Sequence, residues 1–136
     1  MFPFNINFLD HVAIRVKNMD VSIEWYGRVM GLKLYKLEEW GEFPVFMLSG
    51  KSGVAIFPSN LNDEKCNQLS KNVKIDHFAF NVSNDDFKKA QNYFNEINEP
   101  FEFQDHHYLH SIYLKDPDLH TVELTTLLVD ENEFFN

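Results

Sequence analysis

Apolar and polar residues alternate with a period of two in two separate stretches of the chain. In residues 8–16, Phe8, Val12, Ile14 and Val16 share one face, and Leu9, His11, Ala13 and Arg15 share the other. In residues 74–82 the same division sets Phe78, Phe80 and Val82 against Ile75, His77, Ala79 and Asn81. Each stretch predicts a strand with one greasy face for a helix to cover and an opposite face carrying a histidine beside a small alanine. The period then changes. Val21, Trp25 and Val29 stand at i, i+4 and i+8, with Asp20 placed to cap the start and Gly31 to end the run, which predicts a helix of about three turns. Phe87, Ala90, Phe94 and Ile97 form a second stripe behind Ser83 and Asp86, a pair with the spacing of a capping box.

Short β-like runs follow both helices: LKLYKLE, FPVFMLS and GVAIFP in the first half, FEFQ, SIYLK and TVELTTLLV in the second. The halves also match residue by residue. Setting DHVAIRVKNMD (10–20) over DHFAFNVSNDD (76–86), an offset of 66 (76 − 10), aligns Asp10 with Asp76, His11 with His77, Ala13 with Ala79, Val16 with Val82 and Asp20 with Asp86. Such self-similarity reads as a duplicated supersecondary unit. The predicted fold class is α+β, one domain over residues 1–136 built from two tandem βαβββ modules. The modules run at about 6–58 and 73–129, joined by a polar linker at about 59–72.

Facial parity turns this pattern into candidate chemistry. In the last strand Glu123 shares its face with Thr121 and Thr125, whereas Val122 and Leu124 point the other way. Three strands thus carry His11, His77 and Glu123 on polar, uncrowded faces. Two imidazoles and a carboxylate are the N and O donors that a divalent ion takes, and they leave positions open for substrate or water. The competing expectation is that each histidine is simply hydrogen-bonded within a core. The internal copy and the shared parity favour the metal.

Composition removes other classes. With 21 Asp and Glu against 12 Lys and Arg, the formal charge of −9 has the wrong sign for neutralising phosphates, so nucleic acid is not an expected partner. No stretch approaches the roughly 18 uninterrupted apolar residues of a membrane span. The opening MFPFNINF carries neither a basic n-region nor a small-residue cleavage site, so a soluble, cytoplasmic protein is expected. Cys66, the single cysteine, lies in a polar stretch and reads as a solvated loop residue.

Taken in order, DHVAI, the helix ending WYGRVMGL, DHFAF and SIYLKDPDLHTVEL resemble the vicinal oxygen chelate superfamily of glyoxalases, fosfomycin-resistance proteins, bleomycin-binding proteins and extradiol dioxygenases. The resemblance covers nearly all of residues 8–127. It implies mixed sheets curled around a central metal site, usually in a homodimer, with His11, His77 and Glu123 as ligands. One divalent ion is implied, Fe2+ or Mn2+ ahead of Ni2+ or Zn2+. Glyoxalase I and methylmalonyl-CoA epimerases take a further ligand from the last strand of the first module. Here that strand is GVAIFP, which has no metal-binding side chain. The resemblance to fosfomycin transferases rests on Ser111 and Tyr113, at substrate-contacting positions, and on His120, the histidine after the turn. Those enzymes also need cations beyond the carboxylate ligand, and no Lys or Arg follows Glu123.

The extradiol dioxygenase signature is matched by His106, Ile112, Tyr113, Asp116, Pro117 and Glu123. It implies that Tyr113 hydrogen-bonds a substrate oxygen and that His106 hydrogen-bonds or moves a proton beside it. Gln104 replaces a small or β-branched residue, Asn62 lies where such enzymes carry a further histidine, and Leu119 replaces the turn glycine. A left-handed residue would be strained at Leu119, so the turn is expected to differ. Arg15 and Asn81, on the metal face, and Ser111 and His110 are candidate substrate contacts, with a solvated loop as the other reading of the His106, His107 and His110 cluster. The expectation is a metal-dependent enzyme acting on a small oxygenated substrate, dioxygenase chemistry ahead of lyase or isomerase chemistry. The alternatives are a non-catalytic small-molecule binding or resistance protein and a thiol transferase of the fosfomycin-resistance type.

Overall fold

The computed structural model describes residues 2–135, which divide into two compact units at the Cys66–Asn67 boundary. The first unit contains β1 (His11–Val16), α1 (Met19–Arg28), β2 (Lys33–Tyr35), a single 3₁₀ turn (Glu38–Trp40), β3 (Val45–Ser49) and β4 (Ser52–Pro58). Its sheet runs β1-β4-β3-β2, with β1 parallel to β4 and the other pairs antiparallel. Ile14, Val16, Val45, Met47, Val54 and Ile56 are buried together with Trp25, Tyr26 and Val29 of the helix end, so the greasy face is the helix-covered one. Asn18, rather than the expected Asp20, caps α1: its Oδ1 accepts the Val21 N–H at 3.1 Å. Asp20 lies inside the first turn, where a carboxylate still favours the positive end of the helix dipole.

The second unit repeats the plan with β5 (His77–Asn81), α2 (Asn84–Glu96), β6 (Glu102–Asp105), β7 (Leu109–Lys115) and β8 (Thr121–Leu127). Its sheet order is β5-β8-β7-β6, again with one parallel pair, β5 and β8. Ser83 caps α2 by accepting the Asp86 N–H at 3.1 Å. Phe87 and Phe94 of this helix are buried, each contributing on the order of 2 kcal/mol. A short helix, α3 (Glu131–Phe134), follows the last strand and is capped by Asp130; the apolar pattern does not predict it. The chain is thus an α+β protein of two tandem βαβββ modules. No helix among the described residues is long and apolar enough to cross a membrane.

The turn between β7 and β8 corrects one expectation. Leu119 does adopt the left-handed conformation, at φ 67°, despite its side chain. Asp116, 2% exposed, holds it there: its Oδ1 accepts the N–H groups of Asp118 and His120 at 2.9 and 2.8 Å, and its backbone carbonyl accepts from Leu119. An Asp side chain organising the amides that follow it supplies what glycine would otherwise give.

Candidate functional site

Side chains facing each other across neighbouring strands share a face, so the register of the second unit lays its polar face out in rows. His77, Thr121 and Lys115 make one row. Ala79, Glu123, Tyr113 and Glu102 make the next, and Asn81, Thr125, Ser111 and Gln104 the third. Val122, Leu124, Ile112 and Leu114 point to the opposite, buried face, on which α2 packs.

His77 lies between two carboxylates. Its Nε2 is 3.0 Å from Glu123 Oε2 and its Nδ1 is 2.8 Å from Asp76 Oδ2. A neutral imidazole has a single N–H and can donate to only one of them, so the pair of contacts is complete only with a further proton or with a cation at the Nε2 side. Glu123 is 7% exposed and Asp76 lies at the surface. The hydrogen bond from His77, followed by the charges of His77, Lys74 and Lys115, holds the Asp76 carboxyl below its ordinary value. Beside this pair, the Tyr113 ring meets His77 edge-on at 5.7 Å, and its hydroxyl lies 3.0 Å from His106 Nε2. Burial, and then the negative charge of Glu123, raises the Tyr113 pKa, so the phenol keeps its proton at neutral pH.

The first unit has the same frame with different contents. His11 Nδ1 lies 2.7 Å from Asp10 Oδ1, repeating the Asp76–His77 pair. Its ring meets Phe46 edge-on at 5.1 Å, where His77 meets Tyr113. Arg15 is directed at its own strand neighbours, donating from Nη1 to the Pro58 carbonyl at 3.0 Å with its guanidinium 5.0 Å from the Phe57 ring.

The second unit therefore brings His77, Glu123, Tyr113 and His106 together. Asn81 and Ser111 lie one row away from Glu123 and Tyr113, Ser111 fully buried. His110 does not join them. It alternates with Ser111, so it falls on the helix-covered face, its ring 5.0 Å from Phe103 and 6.2 Å from Phe87. Asp10, Asp76 and Lys115 are site neighbours that the sequence reading passed over. The doubled Asp-His dipeptide marked the first two, and the parity of 111, 113 and 115 marked the third.

The donor chemistry of His77 and Glu123 fits a divalent ion: an imidazole whose Nδ1 is already fixed by a carboxylate presents Nε2 beside a buried carboxylate. Among the described residues, no group of three or more His, Cys, Asp or Glu side chains gathers around one point.

These features define a class, the tandem βαβββ proteins whose second module carries a histidine–glutamate pair on an open polar face. The sequence profile of the Glyoxalase/Bleomycin resistance protein/Dioxygenase superfamily matches residues 8–124, and the chain belongs to that superfamily. Solved structures agree in fold. A glyoxalase/dioxygenase from Nostoc punctiforme superposes with a TM-score of 0.77 at 18% identity, over 95% of this chain and 97% of that one. A glyoxylase/bleomycin resistance protein/dioxygenase domain from Frankia sp. EAN1pec gives 0.73 at 16% identity, over 97% and 100%. The fosfomycin resistance protein FosX from Mesorhizobium loti gives 0.64 at 21% identity, over 97% and 100%. No curated protein matches the sequence.

Proposed function

We propose that this protein is a metal-dependent enzyme in which His11, His77 and Glu123 hold one divalent ion, and that its substrate is a small molecule with two adjacent oxygens. The observation that carries this proposal is the buried Glu123 carboxylate 3.0 Å from His77 Nε2, with Asp76 on the ring's other nitrogen. When bound, the ion supplies Lewis acidity to the substrate oxygens and, as Fe2+, access to oxygen chemistry. The protein's own groups do the rest. Tyr113, protonated at neutral pH, donates a hydrogen bond to a substrate oxygen in its row, and His106, in hydrogen-bond reach of the phenol, passes a proton to or from it. Ring-opening oxygenation leads isomerase or lyase chemistry because His106 and Tyr113 meet as the dioxygenase resemblance implies. A cytoplasmic homodimer completes the proposal, with the dimer checked by sedimentation.

The test is the metal content of protein purified without added metal, then reconstituted with Fe, Mn, Ni or Zn. One ion per chain is expected, and Glu123→Ala should lose it while keeping the fold. The absence of any stoichiometric ion in the wild type removes the enzyme reading and leaves a small-molecule binding protein. Oxygen uptake by the Fe2+ form with a panel of catechols tests the reaction class, and no uptake with any of them eliminates the dioxygenase.

A further inference from the structure

A second feature lies beside the His77 row. An open cleft of about 420 Å³ within the second unit is lined by His77 and Tyr113 together with Lys71, Lys74 and Lys115. Three of the chain's 12 basic residues thus line one concavity of a protein whose formal charge is −9. Cations gathered in one cleft of an acidic protein form a local field opposite to the global one, which attracts anions to that cleft in particular.

The lysines are placed by the fold. Lys115 is the register partner of Thr121, itself the partner of His77, and the Lys115 ammonium hydrogen-bonds the Thr121 hydroxyl. Lys74 donates to the Gln68 carbonyl at 2.5 Å, which ties the segment before β5. An ammonium has three N–H donors, so each of these two retains donors for a ligand. Two carboxylates share the cleft wall, Asp76, which accepts from His77 and feels the charges of Lys74 and Lys115, and Glu102, which accepts from Gln104 at 3.1 Å, so the three lysines keep an excess of one positive charge (3 − 2). Adjacent rows on one face of a strand are roughly 7 Å apart. Lys115 lies two residues from Tyr113 on β7, so a charge held at Lys115 and an oxygen held at Tyr113 are separated by about the span of a six-membered ring.

We propose that the substrate carries a negatively charged group, a carboxylate or an acid of like charge, which binds against Lys71, Lys74 and Lys115 while its paired oxygens face His77, Glu123 and Tyr113. This deepens the proposed function and rests on it for the position of the oxygens.

The experiment uses the full chain loaded with diamagnetic Zn2+ and three probes followed by calorimetry and by amide NMR: catechol, 3,4-dihydroxybenzoate, and benzoate, which keeps the charge without the diol. The expected result is that 3,4-dihydroxybenzoate binds about tenfold more tightly than catechol, one charge-assisted contact's worth, and that the ratio falls to about one in K74Q/K115Q while K74R/K115R preserves it. Equal binding of the two diols by the wild type, or a ratio that survives K74Q/K115Q, overturns the anion site. Benzoate separates the two proposals. If neither diol binds in a metal-dependent way but benzoate shifts residues 68–77 in the wild type and not in K74Q/K115Q, the chelating substrate is lost and the anion site stands. If benzoate produces no lysine-dependent shift, the anion site falls whatever the diols do.

Discussion

The two modules share one backbone plan and differ in what they place on the same face. In the second, Glu123 lies between Ala79 and Tyr113, with Thr121 and Thr125 along its strand. In the first, Ala55 lies between Ala13 and Phe46, with Gly53 and Phe57 along its strand. Carboxylate has become methyl, phenol has become phenyl, and the flanking threonines have become glycine and phenylalanine. The histidine with its aspartate, and the alanine two residues further on, are common to both. A duplicated fold thus lets one copy keep a histidine–aspartate pair alone while the other adds a carboxylate and a phenol beside it.

Making the first module resemble the second should produce the largest effect on stability. Ala55 is 1% exposed, opposite Ala13 and Phe46, so Ala55→Glu buries a carboxylate in apolar surroundings. A loss of about 3 kcal/mol is expected from urea unfolding of the metal-free protein. If His11 and the introduced carboxylate can share an ion as His77 and Glu123 are proposed to, added Zn2+ will recover part of that loss, because a ligand bound only by the native state stabilises it. A variant as stable as the wild type without metal would show that this face is not an apolar counterpart of the Glu123 face.

The reverse change, Tyr113→Phe, gives the second module the first module's aromatic residue. The ring contact with His77 survives and the hydroxyl, 3.0 Å from His106 Nε2, is removed. Metal content should be unchanged and kcat should fall about 100-fold, the usual worth of a positioned proton donor. Equal kcat in the two proteins would take Tyr113 out of the chemistry.

Asp10 and Asp76 are the shared feature, and they sharpen the comparison when changed one at a time. Asp76→Asn weakens the hold on His77 Nδ1 while leaving Nε2 in place beside Glu123, so metal affinity by calorimetry should drop about tenfold and Asp76→Glu should restore most of it. Asp10→Asn should act to a similar extent through His11, although the first module has no carboxylate in the place of Glu123. An unchanged affinity in both variants would reduce these aspartates to surface residues.

Much of this contrast was legible before any coordinates. Period-two alternation assigned faces in residues 8–16 and 74–82, and because parity in a strand has only two values, His77 and Glu123 could be put on one face. Parity also condemned His110, an even-numbered neighbour of Ser111 and Tyr113. Grouping it with His106 by proximity in the chain overrode a rule that the strand obeys. Lys71 and Lys74 were hidden for a different reason: they lie in the polar run before β5, where no period exists to assign a face, and only the folded segment puts them beside Tyr113 and Lys115. The Asp side chains were visible as a repeated dipeptide, but neighbours in a strand point to opposite faces. Their contact with the adjacent ring depends on side-chain torsions that alternation does not report.

Turns supply the smallest and most easily signed difference. The first module closes its β3–β4 turn with Gly50 at φ 60°, and the second closes β7–β8 with Leu119 at φ 67°. A side chain in this region costs roughly 1 kcal/mol, which Gly50 avoids and Leu119 bears with the help of Asp116. Leu119 is 47% exposed, so its removal forfeits only part of its apolar contact. Leu119→Gly should then gain about 0.5 kcal/mol, the relieved strain exceeding the added freedom of the unfolded chain. Gly50→Ala should lose about 1 kcal/mol even though an added Cβ at Gly50 meets no described atom within 4 Å, because the penalty lies in φ alone. Urea midpoints at constant slope report both signs. A destabilised Leu119→Gly would mean that the leucine side chain contributes more to this turn than its exposure indicates, and that Asp116 alone does not hold the left-handed residue in place.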